Sequence, residues 1–153
     1  MNIQPLSPSI GSIIHGLNLN QPLTKDLLDE LRAVWLDRQV IVLRDQSLSS
    51  DQYLAFARQL GTPDIYPFLK GLEGFPEITP ILKKETETAN FGGVWHSDTT
   101  YQACPPMATM LYALELPPVG GDTLFANQVQ AYESLSAGLK DTLATLNIIC
   151  RPD

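Results

Sequence analysis

The stretch Trp95-His96-Ser97-Asp98 holds the residue types best suited to chemistry. Along an extended strand, side chains alternate, so His96 and Asp98 fall on one face and Trp95 and Ser97 on the other. An imidazole and a carboxylate on one face are ready ligands for a divalent metal. The facial triad of two histidines and one carboxylate that holds Fe(II) uses such a pair and leaves three coordination positions open. A lone His-x-Asp is met equally well by a histidine hydrogen-bonded to a nearby aspartate, so the pair needs support from the rest of the chain. His15 is the only other histidine, and the cysteines Cys104 and Cys150 form no C-x-x-C pair. That spacing excludes a zinc ribbon or a thioredoxin site and reads as two reduced cysteines of a cytoplasmic protein. The Gly-rich phosphate loops, the G-x-S-x-G elbow and H-E-x-x-H are all absent.

The elements that must position this pair are legible in outline. Residues 3–19 read as short strands with turns at Gly11 and Gly16. A helix follows Pro22, with Thr24 as its cap, Asp26 in the first turn and Leu27, Leu28, Leu31, Val34 and Trp35 as its apolar stripe. Residues 39–43 read as a buried strand. Ser49 and Gln52 form a capping box for a second helix that ends at Gly61. Residues 62–76 and 83–93 read as loops, with strands predicted at 77–82, through the His-x-Asp pair, at 107–116, at 122–126 and from 148. Helical patterns at 128–137 and 139–147 are split by Gly138. This order lacks regular βαβ alternation and predicts an α+β or mainly β chain, an antiparallel core flanked by helices.

Composition narrows the function. The 153 residues match a single domain, and acidic side chains outnumber basic ones 17 to 10, for a net charge of -7. That balance argues against a nucleic-acid partner and against a polybasic membrane anchor. No apolar run approaches the roughly 20 residues of a membrane span, and the N-terminus has no signal-peptide pattern.

Three separated segments then agree with one another. They are Asn90-Phe91-Gly92-Gly93-Val94-Trp95-His96-Ser97-Asp98-Thr99-Thr100-Tyr101, Pro105-Pro106-Met107, and Glu115-Leu116-Pro117-Pro118-Val119-Gly120-Gly121-Asp122-Thr123-Leu124-Phe125. In order and spacing they resemble the taurine dioxygenase/TfdA family of Fe(II)- and 2-oxoglutarate-dependent oxygenases. Gly11 to Gly16, Val40 to Gln46 and Ala131 to Ser136 resemble it too, so the likeness covers essentially the whole chain. The resemblance implies a double-stranded β-helix (a cupin-like jelly roll) flanked by helices, with Fe(II) as metal and 2-oxoglutarate and O2 as cosubstrates. It implies His96 and Asp98 as iron ligands and Thr123 as the hydroxyl that hydrogen-bonds a 2-oxoglutarate carboxylate. Asp98, rather than Ala or Gly, implies hydroxylation and not halogenation.

The same resemblance sets limits. The family pattern needs a second ligand histidine and a 2-oxoglutarate-binding arginine further on, yet no arginine lies between Arg58 and Arg151. The chain therefore reads as the N-terminal portion, 1–153, of one such domain, incomplete at its C-terminus. A non-catalytic remnant or interaction protein is the rival reading. The nucleotides after codon 153 discriminate: an in-frame His and Arg favour the enzyme, a stop codon the remnant. Where taurine-specific members carry polar groups, this chain has Tyr66, Leu69 and Gly92. A small-molecule substrate other than taurine is expected, with Tyr66, Gly92 and Thr99 as pocket candidates. Self-association into a homo-oligomer is a further expectation.

Overall fold

The first 61 residues fold as their local signals require. In the computed structural model, which describes residues 1–88 and 91–151, β1 (Asn2–Pro5) and β2 (Ser12–His15) pair antiparallel, Ile3 opposite Ile14. Gly11 and Gly16, with φ of 84° and 80°, flank β2 in the left-handed region that glycine enters without strain. Helix α1 (Lys25–Arg38) starts where the Thr24 hydroxyl accepts from the Leu27 N–H, with Asp26 in its first turn. It ends at Gln39, whose φ of 64° turns the chain back into β3 (Ile41–Leu43). β3 lies parallel to β2, so the sheet order is β1-β2-β3 and its pairing is mixed rather than purely antiparallel. The strand predicted at 39–43 is shorter than expected because Gln39 is spent as the helix cap.

Helix α2 (Ser50–Leu60) carries the predicted capping box in full: Ser49 Oγ accepts from the Gln52 N–H at 3.2 Å, and Gln52 Oε1 accepts from the Ser49 N–H at 2.8 Å. Gly61 closes it in extended backbone, its N–H on the Ala57 carbonyl. Ile14, Leu17, Leu19, Leu23, Leu31, Leu54 and Phe56 form the buried apolar core. Two glutamines tie the irregular stretch around Leu17 to Leu23 into that core. Gln46 accepts from the Leu19 N–H and donates to the Leu17 carbonyl, and Gln59 does both for Leu23, as a neighbouring strand would. Arg38 ties the N-terminal turn, donating to Ser12 Oγ and to the Ser7 and Gly11 carbonyls.

Two compact units result. The first is Met1–Gly61 with Ala113–Leu146, and the second is Thr62–Tyr112 with the residues from Asn147 on. In the first unit, α3 (Gln128–Glu133) starts at Asn127, whose Nδ2 also donates to the Ser9 carbonyl at 2.7 Å. α4 (Ala137–Ala144) starts at Ser136, whose hydroxyl accepts from the Leu139 N–H. Gly138 lies inside α4, so the break between the two helices is made by the Ser136 cap and not by that glycine.

The strands predicted at 77–82, through 95–98, at 107–116, at 122–126 and from 148 do not form, and no jelly-roll ladder is present among the described residues. Their composition suits a strand, but a strand persists only where a neighbour exchanges backbone bonds with it. The backbone bonds here are local turns, such as the Gln102 N–H on the Thr99 carbonyl, beside one isolated bridge between Leu72 and Phe75. Most apolar residues of these segments stay exposed, Leu82 at 73% and Leu114 at 85%. Both cysteines are free, and no helix among the described residues is long and apolar enough to cross a membrane.

Candidate metal centre

All but one of the predicted site residues lie in the second unit. His96 and Asp98 come together without a strand to carry them: residues 95–97 belong to no helix or strand, and Asp98 opens a turn. His96 Nε2 stands 3.0 Å from Asp98 Oδ1, and both side chains are half exposed. The other ring nitrogen, Nδ1, lies 2.7 Å from the Val94 carbonyl. A carbonyl only accepts, so Nδ1 carries a proton and donates it. The neutral ring then turns its Nε2 lone pair toward a carboxylate oxygen. Two electron-rich atoms at that distance need a cation, either a proton on Nε2 or a metal ion. The Val94 carbonyl, with help from the Asp98 carboxylate, holds the imidazole pKa above its ordinary value, while slight desolvation works the other way.

The pair fits a divalent metal. Donor atoms about 2.0–2.2 Å from a small divalent ion, set at a right angle, lie about 3 Å apart. The Nδ1–H···O=C bond fixes the ring tautomer and orientation as metal-binding histidines require. A triad needs one ligand more, and no group of three His, Cys, Asp or Glu side chains able to hold a metal occurs among the described residues.

The surroundings of the pair divide the pocket candidates. Gly92, with φ of 65°, lies against the His96 ring: a Cβ built there would stand 3.2 Å from its Cε1. The missing Cβ leaves room for the His96 ring. Asn90, the other motif residue before it, lies outside the described residues. Thr99 has φ of 52°, an uncommon state for a β-branched residue, and bends the chain directly after Asp98. Tyr66 packs edge-to-face with Phe68 at 5.8 Å, and Phe68 likewise with Tyr101 at 5.7 Å. Desolvation, then Tyr101, then the Asp98 carboxylate raise the Tyr66 pKa, which puts this phenol within the electrostatic reach of the pair. Phe68 and Tyr101 were missed by sequence reasoning, because nothing in their spacing sets them apart from packing aromatics. Thr123 belongs to the first unit, where it is exposed and follows Gly120 and Gly121 at φ of 80° and 74°. His15 pairs with Asn2 in the sheet, a structural place.

Comparison with known proteins matches the chain to one family. The family model described as "Taurine catabolism dioxygenase TauD, TfdA family" matches residues 2–153. The chain is 28% identical to an alpha-ketoglutarate-dependent sulfonate dioxygenase of Saccharomyces cerevisiae, over 97% of its own length and 39% of that protein's. It is 31% identical to the (S)-phenoxypropionate/alpha-ketoglutarate-dioxygenase of Sphingobium herbicidovorans, over 95% of its own length and 51% of that protein's. Among solved structures, a taurine dioxygenase from Burkholderia xenovorans matches with a TM-score of 0.82 and 35% identity, covering 94% of this chain and 51% of that one. The chain thus spans about half the length of the relatives it matches.

Proposed function

The chain belongs to the taurine catabolism dioxygenase TauD, TfdA family, and from that membership we propose that it supplies the first part of an Fe(II)- and 2-oxoglutarate-dependent dioxygenase acting on a small organic molecule. The observation that carries this reading is the 3.0 Å approach of His96 Nε2 to Asp98 Oδ1. We assign these two atoms as metal ligands and the Val94 carbonyl as the group that holds the neutral ring's proton on Nδ1 and so aims Nε2. Bound Fe(II) would supply the redox chemistry that couples decarboxylation of 2-oxoglutarate, giving succinate and CO2, to hydroxylation of the substrate. The Thr123 hydroxyl is the donor for a 2-oxoglutarate carboxylate. The likeness to the taurine dioxygenase structure supports reading the path through residues 62–126 as the first half of a jelly roll.

For the substrate, Tyr66, Phe68 and Tyr101 form an aromatic cluster in the same unit as the pair. Such a cluster offers an apolar surface against which a substrate can be oriented. Gly92 and Leu69 offer no polar group at the places where a sulfonate would be held, so taurine itself is not the substrate we assign.

The test is succinate release from 2-oxoglutarate, with Fe(II) and ascorbate, by the protein that carries this chain. His96→Ala and Asp98→Ala are each expected to abolish it. Near wild-type turnover in either variant would overturn the ligand assignment.

A further inference from the structure

Asp98 has two carboxylate oxygens, and each has a different partner. Oδ1 faces His96 Nε2, while Oδ2 accepts a hydrogen bond from the Thr109 hydroxyl at 2.5 Å. Thr109 lies eleven residues further along the chain, after Pro105-Pro106, so this bond joins two separate segments of the second unit.

The consequence follows from carboxylate chemistry. The torsion that turns a carboxylate is broad and roughly two-fold, so an untethered Asp98 would present either oxygen, or both. Both oxygens on one metal occupy two adjacent coordination positions, and a three-ligand facial site then loses one of its three open places. A hydroxyl bound to a carboxylate at this distance is a charge-assisted bond, stronger than a neutral one. Asp98 is half exposed, so without such a donor water would compete for Oδ2. Threonine suits the task because its branched β-carbon restricts χ1 and so fixes where the hydroxyl points.

The geometry points to Thr109 as a positioning residue: it holds Oδ2 and leaves Oδ1 as the single Asp98 oxygen presented to a metal. The inference rests on the metal-site reading of His96 and Asp98 given above. It also completes a symmetry in the pair. His96 is held from outside by the Val94 carbonyl through Nδ1, and Asp98 is held from outside by Thr109 through Oδ2. The inner atoms, Nε2 and Oδ1, are left facing each other.

The experiment titrates Mn(II) alone into the chain and follows paramagnetic broadening of its amide NMR signals, which reads weak as well as strong binding. Wild type, Asp98→Ala, Thr109→Val and Thr109→Ser are compared. Valine keeps the shape of threonine and removes the donor, whereas serine keeps the donor. Broadening should centre on His96 and Asp98 and vanish in Asp98→Ala. The Thr109→Val midpoint should rise by about 10–100-fold, the usual cost of losing an outer partner of a ligand, and Thr109→Ser should restore it. An unchanged midpoint in Thr109→Val, or a serine variant as weak as the valine one, would overturn the role of the hydroxyl while leaving the metal site standing. Wild-type chain without localised broadening, or Asp98→Ala binding as well as wild type, would overturn the site and this inference with it.

Discussion

Gly92 is a residue at which the site has little room for a side chain. Its φ of 65° disfavours any side chain, and a Cβ would stand 3.2 Å from His96 Cε1. Gly92→Ala therefore meets both a left-handed backbone cost of about 1–2 kcal/mol and a displaced ring. We expect a shifted His96 Cε1–H signal in the NMR spectrum and a Mn(II) midpoint raised by about tenfold or more. An unmoved ring signal would show that the loop yields instead. At this scale the meeting of His96 and Asp98 was legible in the sequence, because residue type and a two-residue spacing are local facts. The parts played by Gly92 and Thr109 were not. One depends on a backbone angle and a ring packed across a turn, the other on a partner eleven residues away with no periodic trace.

Among the elements, α2 carries one group whose proton the fold holds. Tyr53 is partly buried in it, and desolvation pushes its pKa from 10.0 up to about 12. The native state therefore holds this proton more tightly than the unfolded chain does. Its contribution is fully present below pH 10 and is lost as pH rises from there through the folded value. Denaturant midpoints followed by helical circular dichroism should fall across that alkaline range, and Tyr53→Phe should flatten the decline. A variant that declines as steeply as wild type would place the effect elsewhere. The helices were legible because caps and stripes act within one turn: Thr24, Ser49 and Gln52 stand where the sequence placed them. At 134–138 a serine cap outweighed the glycine, since a cap satisfies an N–H group whereas a glycine only lowers helix propensity. The strands after residue 76 could not be settled locally, because composition marks a segment as strand-like while only a neighbour makes it one.

For the molecule as a whole, the two units differ in how their apolar residues are covered. The first keeps a buried core, but Leu114 and Val119 within it are 85% and 88% exposed, and Ile148 in the second is 87% exposed. Exposed apolar groups on unpaired extended chain recruit other chains. The net charge of -7 opposes that association, but salt screens it beyond about 8 Å at physiological strength. The mass measured by light scattering should therefore rise with protein concentration, and more steeply in added salt. A monodisperse monomer throughout would contradict this. The buried apolar core described above has a different consequence. Its members all fall between Ile14 and Phe56, so all of them have been synthesised before the His96 codon is read. At about 5–20 residues per second, that stretch is made within seconds, and its collapse can begin at the ribosome's exit while His96 and Asp98 are still being translated.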